Sequence, residues 1–339
     1  MKAAVVTRFG PPDVLKIQEV DLPEVGDEHV LVNVRAIGLN FADILCRIGV
    51  YPSVPHPPFI PGLEFSGTVE CTGSHVKGFK KGDRVVSFRQ LGVYAEFVCV
   101  HHLQVMKIPA GMDFTIAASI GVTYLTAYHG LVTLANMRSG EKLLLHAAAG
   151  GVGTATIQIA RHLGVEIFGT ASSTEKLQVA TQQGLHHGIN YRTDDFEHLV
   201  RRNTLGYGVD VVMDSVGGSV MRKSWRLLAP MGRYVLYGFA SVIGKRGLNY
   251  MKALKEIAVT PVIFPPLIVS KNIGFFGFNL YFLFQKVDYL RNASQQMFDW
   301  YKKEIVRPVV GATFSFDRIA EAHVHLQSRK SYGKVVIVI

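Results

Sequence analysis

The chain has 339 residues, of which 48% are hydrophobic and 18% are charged. At about 150 residues per domain this length predicts two domains, and the composition excludes a disordered or fibrous protein. Lysine and arginine (36) exceed aspartate and glutamate (26), which gives a formal charge of +10. Because the basic residues are scattered and form no run of five, we predict that the chain does not bind nucleic acid.

The cysteines are few and far apart. Cys46, Cys71 and Cys99 cannot build a disulfide framework or a CxxC metal clamp. The opening Met-Lys-Ala-Ala-Val-Val-Thr-Arg contains an apolar run that is too short for a signal peptide. We therefore expect a cytoplasmic protein in a reducing compartment.

The first 122 residues contain short alternating or β-branched runs separated by turn signals. Examples are 30–34, 66–69 and 84–86, with Lys-Gly-Asp at 81–83 as a turn. This pattern predicts a partly open β-barrel or a sandwich.

From residue 124 the pattern changes to strands that alternate with helices. We predict helices over 154–163 and 176–183, and strands over 142–146, 165–169, 209–213, 234–237 and 273–278. Such alternation is typical of a parallel, doubly wound α/β sheet. A long helix near 287–303 and a closing strand over 334–339 complete the chain.

Two uncharged segments, 257–270 and 272–285, have 14 residues each. Both are shorter than the roughly 18–20 residues that span a bilayer. Pro261, Pro265 and Pro266 are expected to break the first segment as a helix. We predict buried structure or a subunit contact here, with a peripheral membrane patch as the alternative.

The strongest motif is His-Ala-Ala-Ala-Gly-Gly-Val-Gly at 146–153, which follows a predicted strand and opens a predicted helix. That context is typical of a dinucleotide-binding loop, in which glycines and the helix N-terminus approach a pyrophosphate. Ala148 stands where the first glycine of the fingerprint would be. The predicted phosphate contacts are Ala148, Gly150, Gly151 and Val152.

The next strand indicates which dinucleotide is bound. It ends in Gly-Thr-Ala-Ser-Ser-Thr at 169–174, without the acid that would bind a free ribose 2′-hydroxyl. Ser172, Lys176 and Tyr191 suit a 2′-phosphate, because a hydroxyl can donate and a lysine adds positive charge. We therefore predict NADPH, although Ser172 and Ser173 also fit an ordinary helix start and Lys176 a surface position.

Several motifs together resemble the medium-chain dehydrogenase/reductase superfamily, in its zinc-free quinone oxidoreductase (zeta-crystallin-like) branch. They are the phosphate loop, Gly-Leu-Asn-Phe-Ala-Asp at 38–43, Gly-Leu-Glu-Phe-Ser-Gly at 62–67 and Gly-Lys-Val-Val at 333–336. The segments Val-Asp-Val-Val-Met-Asp at 209–214 and Pro-Met-Gly-Arg at 230–233 further resemble the vesicle amine transport protein group within that branch.

The resemblance implies an α/β fold in which a GroES-like β-barrel domain (1–123 and 286–339) is combined with a Rossmann domain (124–285), with the active site in the cleft. It also implies a homodimer. Further cofactor contacts are carried over from the family to Thr126, Gly238, Phe239, Phe278, Asn279 and Lys334. Each of these residues also fits a structural role.

The resemblance also bears on metal chemistry. Zinc members of the superfamily have a cysteine at the position of Asn40 and a histidine at the position of Leu63, so we predict no metal. Without a Lewis acid a quinone or a conjugated enone is the easier substrate, because the charge delivered by hydride spreads to an oxygen. Asn40 and Tyr51 are the candidate hydrogen-bond donors to substrate, and each can instead be structural.

Two hypotheses follow. The first is an NADPH-dependent, zinc-independent reductase of quinones or α,β-unsaturated carbonyls. The second is a nucleotide-binding protein that mainly contacts a membrane or a partner. In either case the predicted strand at 273–278 should lie at the outer edge of the sheet, where pairing with its copy would give the dimer.

Overall fold

The computed structural model describes residues 1–89, 91–244, 247, 248 and 250–339. It consists of two compact units. The first comprises Met1–Leu125, Tyr281–Glu304 and Pro308–Ile339, and the second comprises Thr126–Leu280 and Ile305–Arg307. Residues 281–285, which we expected in the second unit, lie in the first. The reason is that Tyr281 packs edge-on against Tyr51, with ring centroids 5.5 Å apart.

The strands of the first unit come from both ends of the chain, and those of the second lie between them. In chain order they are β1 (Lys2–Val6), β2 (Leu15–Glu19), β3 (His29–Leu39), β4 (Glu64–Thr72), β5 (Arg84–Phe88), β6 (Phe97–His101), β7 (Val105–Lys107), β8 (Lys142–Leu145), β9 (Glu166–Ala171), β10 (His187–Asn190), β11 (Val209–Asp214), β12 (Leu228–Leu236), β13 (Ile243–Gly244), β14 (Gly247–Leu248), β15 (Gly274–Gly277), β16 (Val310–Ser315) and β17 (Lys334–Val338).

Most helices belong to the second unit. In chain order they are α1 (Phe41–Arg47), α2 (Phe114–Tyr128), α3 (Gly151–His162), α4 (Thr174–Gln183), α5 (Phe196–Asn203), α6 (Gly218–Trp225), α7 (Tyr250–Val259), α8 (Pro265–Lys271), α9 (Leu280–Leu283), α10 (Val287–Lys302) and α11 (Ile319–Gln327). A π-helical turn, His129–Leu134, continues α2.

The first unit is built on a mainly antiparallel sheet in the order β16-β17-β3-β4-β5-β7, with β6 also paired to β3. The last strand of the chain, β17, pairs with β3 and so joins the two chain ends. Alternating residues of these strands enclose an apolar core that includes Val32, Phe65, Val98 and Ile337.

The second unit contains a six-stranded sheet in the order β10-β9-β8-β11-β12-β15. Every pair in it is parallel. This order confirms the predicted doubly wound Rossmann sheet. It reverses direction between β8 and β11, and ligands of such sheets bind at that switch point, beyond the carboxyl ends of the strands. The loop after β8, which contains the 146–153 motif, lies there.

The strand predicted at 273–278 is β15, and it lies at the end of the sheet as expected. Among the described residues, β15 pairs with one strand, β12. Phe275 points into the unit, where its ring stacks on Tyr234 at 5.9 Å.

The segment before β15 is broken as a helix, as predicted, because α7 ends at Val259 and Pro261 lies in the connection to α8. Pro265 and Pro266 begin α8, since the first helical positions need no backbone N–H partner. Within one chain the segment is exposed, with Val262 at 87% and Val269 at 80% exposure, so a subunit contact or a membrane patch stays a prediction. In the part of the chain that the structure describes, no helix is long and apolar enough to cross a membrane.

The start of α3 generates a stability prediction. A Cβ atom on Gly153 would lie 2.4 Å from the carbonyl oxygen of Ala147 and 2.5 Å from that of Ala148. Gly153→Ala should therefore lower the free energy of unfolding by about 1–3 kcal/mol through overpacking. Gly150→Ala is the matched control, since its Cβ would meet Ala147 O at 3.3 Å. Urea denaturation measures both variants, and equal losses would contradict this account.

Candidate functional site

The loop after β8 presents the start of a helix at the switch point. Gly150 is the N-cap of α3, with φ −74° and ψ 173°. The chain is held on both sides, because the Ala148 N–H donates to Thr170 O (3.0 Å) and the His146 N–H donates to Met213 O (3.1 Å). Unpaired N–H groups of a first helical turn attract a phosphate. The predicted loop residues therefore lie at a helix start at the switch point, and their contact with a pyrophosphate stays a prediction.

Two alanines of this loop stand in positions that favour glycine, one for lack of space and one for its backbone conformation. A Cβ atom on Gly169 of β9 would lie 2.9 Å from the Ala148 methyl group. The missing side chain at Gly169 therefore leaves room for the Ala148 methyl group, where the fingerprint has a glycine. Ala147 adopts φ +55°, a backbone region that favours glycine. No sequence pattern predicted this strained backbone at Ala147, and such strain is typical of functional turns.

The residues predicted to bind a 2′-phosphate lie at the ends of adjacent strands. Ser172 follows β9 directly and is buried. The Tyr191 N–H donates to Ala171 O (3.1 Å), which places Tyr191 beside the end of β9 with 48% of its surface exposed. Ser173 caps α4 by accepting from the Lys176 N–H (3.4 Å). The helix start thus takes Ser173 rather than Ser172 as its cap.

A buried aspartate that sequence reasoning did not single out shapes the next loop. Asp214, at the end of β11, accepts from the N–H groups of Val216 (2.7 Å) and Gly217 (3.1 Å) and from Tyr234 Oη (2.7 Å). The Phe239 ring lies against Gly217, where a Cβ atom would be 2.4 Å from it. The sequence pattern that could have predicted this role is an acid at the end of an apolar strand, followed by Gly217 and Gly218.

The remaining predicted contacts of this unit lie on α2 and after β12 and β15. Phe278 follows β15, and its ring packs edge-on against His129 (4.7 Å) and stacks on Tyr237 (6.1 Å). Thr126 on α2 is buried. Gly238 and Asn279 are half-buried beyond the strand ends. Burial lowers the pKa of His129, which is therefore neutral at pH 7.

The first unit contains a cluster of buried polar side chains on β17, β4 and α1. Lys334, at the start of β17, is 3% exposed, and its Nζ donates to Asn40 Oδ1 (2.6 Å) and to Glu64 Oε1. Glu64 is fully buried, and its Oε2 accepts from the Val122 N–H (2.8 Å). Lys334 was predicted as a cofactor contact, and in this structure its ammonium is bonded within the first unit.

Asn40 is held by the same cluster. Its Nδ2 donates to Gly38 O (3.1 Å) and to Glu64 Oε1 (2.8 Å), and its Oδ1 accepts from Lys334. It also caps α1 in a reciprocal capping box with Asp43. Both amide protons are thus used inside the protein, so the arrangement favours a positioning role, and donation by Asn40 to a substrate stays a prediction. Of the three ammonium protons on Lys334, two have acceptors among the described residues.

Room for the Glu64 side chain comes from two glycines. A Cβ atom on Gly38 would lie 2.8 Å from Glu64 and 2.0 Å from Ala118 O. A Cβ atom on Gly121 would lie 2.7 Å from Glu64 Oε2. Both glycines are required for the close approach of β3 and α2 to this carboxylate.

Tyr51, the second candidate donor, lies outside the cluster. It is half-buried and packs on an apolar group that includes Val6, Cys46 and Phe59. The edge of its ring faces Tyr281. Its role as a donor to substrate also stays a prediction.

Comparison with known proteins places both units in one family. The description "Alcohol dehydrogenase GroES-like domain" matches residues 26–110, and "Zinc-binding dehydrogenase" matches residues 183–337. The synaptic vesicle membrane protein VAT-1 homolog of Rattus norvegicus is 35% identical over 345 residues, which cover all of this chain and 84% of the relative. The quinone oxidoreductase of Homo sapiens is 31% identical over 350 residues, which cover all of this chain and 98% of the relative.

A solved structure extends the likeness to three dimensions. The Escherichia coli quinone oxidoreductase complexed with NADPH has a TM-score of 0.89 and 28% identity, with full coverage of both chains. The similarity therefore covers the whole chain in both sequence and fold.

The family description raises the question of zinc. Within the described ranges, no group of three or more His, Cys, Asp or Glu side chains is placed to hold a metal ion. Glu64 is instead paired with an ammonium and an amide, which are a cation and a hydrogen-bond donor rather than metal ligands. These residues do not fit a catalytic zinc ion.

Asp43 generates a pH prediction. Burial raises its pKa from 3.8 to about 7, partly offset by the Asn40 N–H and by the charge of Lys334. The folded state therefore holds a proton that the unfolded state releases above pH 4. The resulting contribution to stability falls as the pH rises from 4 to 7, by up to about 1.4 kcal/mol per pH unit.

Asp43→Asn keeps an oxygen that can accept from Asn40 but has no proton to lose. Its stability relative to the wild type should therefore rise between pH 4 and 7 and stay level above pH 8, as measured by urea denaturation at each pH. The exposed Asp21→Asn is the control and should show no such trend. A pH-independent difference for Asp43→Asn would contradict the assignment.

Proposed function

Because the chain belongs to the medium-chain dehydrogenase/reductase superfamily, we propose that it is an NADPH-dependent, zinc-independent reductase of quinones or α,β-unsaturated carbonyls. The observation that carries this proposal is the helix start at the switch point, together with a hydroxyl and lysine set where a ribose acid would be. The NADPH complex of the Escherichia coli quinone oxidoreductase supports the cofactor.

The second unit would hold NADPH. The loop residues Ala148, Gly150, Gly151 and Val152 would bind the pyrophosphate at the start of α3, and Ser172, Lys176 and Tyr191 would bind the 2′-phosphate. Thr126, Gly238, Phe239, Phe278 and Asn279 are the further proposed contacts. When bound, the cofactor supplies a hydride.

The first unit would supply the electrostatics. Hydride addition to a conjugated acceptor sends charge to an oxygen, which hydrogen-bond donors can stabilise without a metal. The Lys334 ammonium is a buried positive charge of this unit, and Asn40 and Glu64 hold it in place. We assign the donor role to Lys334 or Tyr51, with Asn40 and Glu64 as positioning residues. Most of the rate enhancement would then come from orientation of the two reactants.

Cofactor preference tests the 2′-phosphate set. A charge-assisted contact contributes about 1.5–3 kcal/mol, so NADPH should bind about 10- to 150-fold more tightly than NADH. Lys176→Ala should lose most of that difference, while Lys271→Ala, an exposed lysine of the same unit, should retain it. Fluorescence titration measures both dissociation constants, and equal wild-type affinities would contradict the assignment.

A second candidate function rests on a different surface. An apolar patch on α7, α8 and their connection consists of Met251, Leu254, Ile257, Val262, Phe264, Leu267 and Val269, each 39–87% exposed. Several exposed apolar side chains in one segment are typical of a contact with a partner or a membrane. The net positive charge favours an anionic lipid surface. The names of the VAT-1 relatives describe those proteins as vesicle membrane proteins.

Two measurements separate the candidates. Single-turnover oxidation of NADPH is followed with a panel of quinones and enones, before and after chelator treatment, and cosedimentation is measured with phosphatidylserine-containing vesicles. The proposed reductase should oxidise at least one conjugated acceptor at an unchanged rate after chelation. Absence of turnover across the panel, with cosedimentation that Val262→Asp abolishes and Leu205→Asp retains, would favour the membrane function.

We also propose a homodimer formed by pairing of β15 with its copy. Light scattering should give twice the chain mass of 37.4 kDa at all concentrations measured. Phe276→Asp, which adds a charge to the half-buried edge strand, should shift the mass toward one chain. Leu205→Asp, at a position that is 96% exposed in the same unit, is the control. A wild-type monomer would exclude the dimer.

A further inference from the structure

Arg47 is a buried cation without a matching acid. It is the last residue of α1 and has no solvent-exposed surface. Its Nη2 donates to Gln327 Oε1 (2.6 Å), whereas its Nε and Nη1 have no hydrogen-bond partner. Burial lowers its pKa to about 10, so it remains charged at pH 7.

The surroundings of Arg47 are polar and closed. His323 and Gln327 lie one turn apart on α11, and both are buried. His323 Nε2 is 3.1 Å from Tyr94 Oη, while its Nδ1 has no partner. Burial and the positive charge of Arg47 hold the pKa of His323 well below its usual range, so its ring is neutral.

Two nitrogen atoms of Arg47, Nε and Nη1, thus lack partners, and both carry hydrogens. The Tyr94 hydroxyl also hydrogen-bonds to the buried carboxyl of Asp43. Since Tyr94 donates to Asp43, His323 Nε2 donates to Tyr94, and His323 Nδ1 is an acceptor with no hydrogen to offer. Buried donors of this kind normally have an acceptor, and leaving them unpaired costs free energy.

Water could accept these hydrogens but would leave the charge unmatched. A buried charge without a counter-charge costs several kcal/mol even after relaxation. Tyr94 and Asp13 are the acidic groups whose charges act on Arg47. Burial raises the pKa of Tyr94 well above its usual range, so its hydroxyl is neutral at pH 7. The Asp13 side chain is exposed, and no ion pair joins it to Arg47 in the described chain. The missing component is therefore an acceptor that carries one negative charge.

We propose that Arg47 binds a small monovalent anion, of the halide class, inside the first unit. Arg47 Nε and Nη1 donate to the ion. A halide ion matches the single positive charge, accepts several N–H groups and brings no donor of its own. The ion stabilises the packing of α1 against α11 and takes no part in hydride transfer, so this inference does not rest on the proposed reductase activity.

Bromide identifies such a site directly. Crystals of the full chain grown in sodium bromide should show an anomalous peak beside Arg47 Nε and Nη1. In solution, replacing isethionate with chloride at constant ionic strength should raise the thermal midpoint by about 2–4 °C in a saturable manner.

Arg47→Met should abolish the chloride-dependent rise, because it removes the donors and the charge and keeps an apolar stem. Arg35→Met, which alters an exposed arginine of the same unit, should retain the rise. Water molecules alone at the two Arg47 nitrogen atoms in the bromide crystal, or an equal chloride response in both variants, would overturn the proposal. If Arg47→Met does not fold, the bromide crystal decides the question alone.

Discussion

The buried ion pair between Lys334 and Glu64 is the interaction on which the first unit depends. It joins the last strand of the chain to β4 across 270 positions. Its two charges have almost no contact with water, so each requires the other and a full set of hydrogen bonds. Asn40 and the Val122 N–H complete that set. The same Glu64 carboxylate leaves no room for a side chain at Gly38 or Gly121.

The consequences extend to the chemistry. In zinc members of the superfamily a metal supplies positive charge. In this chain the Lys334 ammonium is paired with Glu64 of the 62–67 motif. A fixed ammonium can stabilise developing negative charge, but more weakly than a metal ion. This limit is why we favour conjugated acceptors, which spread their charge, over simple ketones.

Local patterns were sufficient to predict the second unit. Continuous apolar runs followed by helices indicated a parallel sheet, and the glycine-rich turn indicated the switch point. At 257–270 the alternatives stayed open because hydrophobicity alone does not distinguish a buried segment from an exposed apolar patch. Residues 281–285 group with the first unit, where Tyr281 contacts Tyr51, a residue that is far away in sequence. The bonding of Lys334 and the orphaned donors of Arg47 likewise depend on contacts between distant parts of the chain.

A double-mutant cycle on Lys334 and Glu64 tests the central claim most directly, with the free energy of unfolding as the readout. Lys334→Met and Glu64→Gln should each cost about 3–5 kcal/mol, because each leaves a buried charge unmatched. The double variant should cost far less than their sum, since it removes both charges. Costs that add to within about 0.5 kcal/mol would show that the two residues are independent and would contradict the account.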